Sequence, residues 1–122
     1  MILLLIAIGG AIGSLSRYGL GMLVQKSANA AFPVGTLAVN VAGCILVGAL
    51  AKVFMQTQTH PQLRAMLIVG FCGGFTTFSA FSLETVALMQ GGEWGKAAAY
   101  VAGSVLACLA GTAAGFALAR SL

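Results

Sequence analysis

Four long apolar stretches follow one another along the chain, separated by short polar breaks. A spanning helix needs roughly 20 apolar residues at about 1.5 Å rise each. The pattern places such helices over about residues 2–24, 34–55, 63–90 and 95–119. The first break is Gln25-Lys26-Ser27-Ala28-Asn29, and Pro33 then stands where a helix favours its first residue. The second, Gln56-Thr57-Gln58-Thr59-His60-Pro61, is the most polar segment, and Pro61 again reads as a helix start. Gly91-Gly92 closes the third helix, and Arg120 sits at the C-terminal end of the fourth.

The third stretch differs from the others because it is too long for one straight crossing. Near its middle lies Gly70-Phe71-Cys72-Gly73-Gly74-Phe75-Thr76-Thr77-Phe78-Ser79. Adjacent glycines followed by hydroxyl residues weaken a helix where lipid cannot repair it. Freed backbone groups at that depth persist only when buried in protein or lining a wet cavity. The pattern predicts a helix broken mid-membrane; the alternative is a continuous helix whose glycines serve close packing.

Composition sharpens this picture. Of 122 residues, 60% are hydrophobic and 7% charged, against about 25% charged in soluble domains. Mean hydropathy is +1.03. Glu84 and Glu93 are the only acids against six bases, so the net charge of +4 reflects scarce acids rather than a basic patch. A soluble enzyme, a disordered chain and a nucleic-acid binder are excluded. The expectation is an all-α integral membrane protein in which residues 1–122 form a single four-helix unit in the lipid bilayer. The first stretch begins like a signal peptide, but the chain never turns soluble after it, so cleavage is not expected. Cys44, Cys72 and Cys108 lie in apolar segments without a C-x-x-C or Cys/His cluster, and read as small apolar fillers.

Positive residues near short loops orient membrane helices. Lys52, Arg64 and Arg120 fall on one side, and Arg17, Lys26 and Lys96 on the other. Such a balance predicts dual topology, with copies inserted both ways and paired antiparallel. Small residues at helix-contact spacing, Gly9 with Gly13 and Gly103, Ala107, Gly111 and Gly115, serve packing within one chain or a dimer seam. Because four short helices hardly enclose an aqueous path, an oligomer is favoured.

Polar groups in hydrocarbon are costly and mark pathways. Asn40 lies early in the second helix with Thr36 one turn before it. Tyr100, Ser104, Cys108 and Thr112 repeat every four residues and line one stripe of the fourth helix. A row of neutral donors suits a desolvated anion; alternatively, each hydroxyl bonds its own helix backbone. Phe78 and Phe81 share a face after the break, where positive ring edges could meet an anion, although such pairs also serve as core. The break would offer carbonyls for a cation, with Gly73 and Thr76 as the candidates. Arg17 and Glu84 lie at similar depth on one side, as a vestibule or as a Glu84–basic structural pair. His60 and Trp94 read as interface residues. No nucleophile–base–acid set or metal cluster exists, so the chain is not read as an enzyme.

These segments resemble the CrcB/Fluc family of fluoride channels. Gly10-Ala11-Ile12-Gly13-Ser14-Leu15-Ser16-Arg17-Tyr18 is similar to the family's first-helix signature. Gly35-Thr36-Leu37-Ala38-Val39-Asn40, followed by Gly43, is similar to its second. The run from Gly70 to Ser82, with Glu84 beyond, is similar to its third and most specific. The resemblance implies a passive exporter that lowers cytoplasmic fluoride across the cell inner membrane, built as a dual-topology antiparallel homodimer with two pores. It implies Asn40, Phe78 and Phe81 in the pore and Tyr100, Ser104 and Thr112 on a hydroxyl track; Thr36 is counted with the pore by its place one turn before Asn40. It also implies a structural sodium ion at the dimer centre, held by the Gly73 and Thr76 carbonyls. Ala80 replaces a common threonine, and Cys108 stands where a hydroxyl residue is expected. The rival is a small proton-coupled multidrug transporter, which needs a carboxylate early in the first helix; helix one has no acid.

Overall fold

The computed structural model describes residues 1–122 and is entirely helical. Helix α1 runs Ile2–Ala28 and α2 Val34–Gln56. Helix α3 covers residues 61–75: a first turn Pro61–Arg64, a π-helical stretch Ala65–Cys72 and a last turn Gly73–Phe75. Helix α4 is Phe78–Gln90, and α5 is Trp94–Leu118 with a closing 3₁₀ turn Ala119–Ser121. With α3 and α4 taken as one crossing, the chain has four helices long and apolar enough to span a membrane.

Helix α1 continues one turn past Val24, because Gln25 is spent on the following loop rather than on ending the helix. Its side-chain N–H groups donate to the carbonyls of Ala30 (2.7 Å) and Phe32 (3.0 Å), and its Oε1 accepts from the Gly35 N–H (3.0 Å). Asn29 then closes α1 in the left-handed region at φ 46°, ψ 41°. Pro33 is the residue before α2 rather than its first, whereas Pro61 does open α3.

Two seams join the helices backbone to backbone. At Gly9 and Gly13 of α1, an added Cβ would strike the carbonyls of Met66 and Phe71 in α3. At Gly48 of α2 it would strike the Thr112 carbonyl, and at Gly115 of α5 the Ile45 carbonyl. Such approach maximises dispersion contacts where lipid offers no hydrophobic drive to association. The small-residue stripe of α5 therefore divides. Gly111 and Gly115 belong to the α2 seam, while Gly103 has nothing within 4 Å of its would-be Cβ.

No more than 28% of any span is buried. The outward faces carry Leu3, Leu15, Leu83, Leu106 and Leu109, as a helical protein does when lipid or another apolar surface surrounds it.

Candidate ion site at the α3–α4 interruption

The helical ladder stops at Phe75 and resumes at Phe78. Thr76 (φ −87°, ψ 154°) and Thr77 (φ −146°, ψ 113°) are extended between them. The sequence pattern pointed to the glycines, yet Gly73 is helical at φ −63°, ψ −37°. The threonines leave the helix because side chains supply partners for their freed groups. The Asn40 side chain acts as a stand-in strand: its Oδ1 accepts from the Thr77 N–H (2.7 Å), and its Nδ2 donates to the Thr77 carbonyl (3.0 Å). The Thr77 hydroxyl oxygen accepts from the Ala80 N–H (3.1 Å) and so caps α4. On the other side, the Thr76 hydroxyl and N–H both donate to the Cys72 carbonyl, at 2.9 and 3.0 Å.

The consequence falls on two carbonyls. In a continuous helix, the Thr77 N–H would point at the Gly73 carbonyl and the Ala80 N–H at that of Thr76. Here one goes to Asn40 and the other to the Thr77 hydroxyl. Both expected cation ligands are thus released from their helical donors, and a cation site made only of carbonyls fits this donor set.

Around the interruption, Asn40, Phe78, Phe81, Ser104 and Cys108 line one cavity of about 190 Å³, with Val105 and Leu109 completing its wall. The Phe78 and Phe81 rings lie 5.3 Å apart at 49°. The Ser104 hydroxyl is buried without a hydrogen-bond partner, hence free for a ligand. No charged side chain touches this cavity. Phe78 is 79% exposed, so the cavity is open on that side.

The other candidates lie beside it. Glu84 accepts from the Thr36 hydroxyl at Oε1 and from the Tyr100 hydroxyl at Oε2, both at 2.6 Å. The Tyr100 ring, in turn, lies tilted at 52° to Phe81 with 5.1 Å between ring centres, and meets Phe32 edge-on at 5.4 Å. The Glu84–basic pair is not formed, since the one salt bridge joins Lys96 to Glu93 at 3.2 Å. Arg17 instead shares a cavity of about 330 Å³ with Thr36, Thr77, Ala80 and Glu84, and its Nε is buried without a partner. Thr112 stands apart from the cavity. Its hydroxyl donates to the Cys108 carbonyl one turn back (3.2 Å), the self-bonding alternative for a helical hydroxyl.

Two residues of this site are missed by the hydrophobic pattern, one of which carries a signal of another kind. Thr77 occupies a helix-capping position three residues before the N–H it accepts from, which a capping search recognises. Cys44 faces the interruption from α2, and nothing in its apolar neighbourhood in sequence marks it.

Helices that cross a membrane around an uncharged, partly open cavity, with an unwound segment braced by an intramembrane amide, define an integral membrane protein of the channel or transporter type. Comparison with known proteins gives the family. Residues 4–116 match the model of the CrcB-like protein, Camphor Resistance (CrcB) family. A Thermus thermophilus protein called fluoride-specific ion channel FluC is 53% identical over 84% of this chain and 82% of its own. The Rhizobium etli protein of that name is 48% identical over 98% and 96%, and the Novosphingobium aromaticivorans one 49% identical over 96% and 94%. The chain belongs to the CrcB family and is a multi-pass membrane protein.

Proposed function

We propose that this chain is a fluoride-selective channel of the cell inner membrane, exporting cytoplasmic fluoride passively down its electrochemical gradient and so lowering its toxicity. The observation that carries the reading is the uncharged cavity of Asn40, Phe78, Phe81 and Ser104 with its unspent, buried hydroxyl. It is supported by relatives about half identical across nearly the whole chain that are called fluoride-specific ion channels. Fluoride must shed water to enter. Neutral donors and positive ring edges replace that water without the deep binding that a fixed cation would impose. Asn40 has an N–H beyond the one given to Thr77, and Ser104 has its hydroxyl. Tyr100, Thr36 and Thr112 extend the track, with Arg17 and Glu84 at the vestibule. The multidrug-exchange alternative lacks its proton carrier, since α1 contains no acid.

The working unit is a dual-topology antiparallel homodimer with two pores. A second copy would close the side on which Phe78 is exposed, and the three-to-three split of basic residues gives no preferred insertion. The Gly73 and Thr76 carbonyls of both subunits would hold a sodium ion, which when bound supplies a fixed positive charge and coordination bonds across the two-fold axis. The α3–α4 interruption supports this reading, because it frees these carbonyls from their helical donors.

Fluoride efflux from liposomes holding this protein alone, with chloride efflux as control, tests the function. Fluoride leaves and chloride stays; a folded protein that passes no fluoride refutes the reading. For topology, a C-terminal tag labels both membrane faces, and added lysines in the 56–61 loop drive one orientation and depress flux. A tag found on one face only refutes dual insertion.

A further inference from the structure

The three cysteines, unremarkable along the chain, converge in space from α2, α3 and α5. Cys44 and Cys108 are both half-buried and line one cavity of about 230 Å³ with Asn40, Thr76, Thr77 and Phe78. The α2–α5 seam sets them on facing helices: a Cβ added to Gly111, three residues after Cys108, would stand 3.6 Å from the Cys44 Cβ. Cys72 stands behind them, 3% exposed and outside the cavity. Two thiols on different helices, facing one cavity with no carboxylate or imidazole in its wall, favour a soft metal ion over a hard one at the sulfurs.

We propose that Cys44 and Cys108 form a two-coordinate site for a soft, thiophilic metal ion of the Cu(I), Ag(I) or Hg(II) class, set in the wall of the ion path. At the two sulfurs hard cations are disfavoured, which leaves the Thr76 carbonyl to sodium, and zinc is disfavoured because the site lacks four ligands. With Hg(II) as the ion, two S–H bonds break, two S–Hg bonds form and two protons leave to solvent, with no change of oxidation state. Cys108 is also part of the 190 Å³ cavity that holds Phe78, Phe81 and Ser104. An ion bridging it to Cys44 therefore pulls the wall of that cavity towards Thr76 and fixes α5 to α2. The Asn40 and Phe78 side chains line both cavities, so occupancy of one alters the other.

The test has a binding arm that does not depend on fluoride transport. The purified full chain is titrated with Hg(II), excess monothiol is added, and the free thiols are alkylated and located by mass. The expected result is one Hg(II) retained per chain, with Cys44 and Cys108 both protected and Cys72 no more protected than without metal. Cys44→Ser and Cys108→Ser each lose retention against the monothiol, while Cys72→Ser keeps it; alanine versions guard against a serine that fails to fold. Retention through a single thiol, or protection centred on Cys72, overturns the site. The second arm rests on the channel reading. Hg(II) slows fluoride efflux from liposomes roughly tenfold through the altered pore wall, and Cys44→Ser is spared. If binding holds but flux is untouched, the coupling of the site to the path is refuted. If no variant conducts fluoride with or without Hg(II), the channel reading fails while the binding result stands.

Discussion

The α2–α5 seam and the α3–α4 interruption lie close together in the molecule and are built on opposite rules. At the seam, Gly48 and Gly115 bring backbone onto backbone, leaving no room for a methyl group. At the interruption the backbone is let go, and side chains hold it: Asn40 on Thr77 and the Thr77 hydroxyl on Ala80, while beside it Thr36 and Tyr100 satisfy the Glu84 carboxylate. Rigidity in lipid therefore comes from removing side chains, and a polar path from adding uncharged ones that satisfy what the break exposes. Flux and folding should separate along this division.

The largest effect is expected at the seam. A valine at Gly115 or Gly48 places methyl groups against a carbonyl that cannot move without its helix. Overpacking of a core costs about 1–3 kcal/mol, and more where backbone must shift. Neither variant should be recovered as a monodisperse folded protein in detergent. Gly103→Ala, with open space around it, should change stability by no more than about 0.5 kcal/mol. Recovery of Gly115→Val at the wild-type melting temperature would remove the seam from this picture.

Next comes Asn40, which belongs to the interruption alone. Asn40→Ala strips the partner from the buried Thr77 N–H, at about 1–3 kcal/mol, and frees that N–H to return to the Gly73 carbonyl. Helix and cation ligand then compete for the same oxygen, so both fluoride flux and any sodium dependence of thermal stability should disappear. Asn40→Asp keeps the oxygen that accepts from the Thr77 N–H, though it sets a second oxygen where Nδ2 met the Thr77 carbonyl, and so holds the break by one bond of the two. Its charge opposes an anion by about 4 kcal/mol at 4 Å and an effective dielectric of 20, so flux falls by about a thousandfold while sodium dependence survives. Equal sodium dependence in both variants would show that Asn40 does not hold the break.

The two regions were not equally legible in the sequence. The crossings follow directly from runs of apolar residues, because lipid demands length and apolarity of every turn. The α2–α5 contact was half legible: the Gly111–Gly115 repeat is visible along the chain, but which helix it meets depends on tertiary register. The interruption was located by its glycines and displaced by one turn. Glycine marks where a helix is weak, whereas the residue that leaves is the one whose freed N–H finds a better acceptor, and that acceptor, Asn40, lies 37 positions away. Along the chain, charge suggests a basic partner for Glu84; in the structure, two hydroxyls from α2 and α5 take both of its oxygens.

Phe78 and Phe81 probe the interruption more gently. Phe81 is 8% exposed and touches both Phe78 and Tyr100, whereas Phe78 is 79% exposed. Isoleucine keeps apolar bulk and removes the ring quadrupole. Both substitutions should lower fluoride flux by about tenfold or more, roughly 1.4 kcal/mol on the barrier, yet only Phe81→Ile should lower the melting temperature. Normal flux through both would reduce the rings to packing.

The smallest effect, and the finest division, lies along the hydroxyl stripe of α5. Ser104 and Thr112 stand on the same helical track, but their hydroxyls are spent differently. That of Ser104 is buried, unpaired and in the 190 Å³ cavity. That of Thr112 already donates to the Cys108 carbonyl, on the turn that presses against Gly48. A hydroxyl with no protein partner gains a full hydrogen bond when an anion arrives; one that must first leave its own backbone gains only the difference, and the net value of such a bond is about 0.5–1.5 kcal/mol. Ser104→Ala should therefore cost more fluoride flux than Thr112→Val, about tenfold against about twofold, with both proteins folded. The reverse order, measured by efflux from liposomes at matched protein density, would mean that Thr112 releases its backbone bond during conduction, and the path would then extend through the seam rather than end beside it.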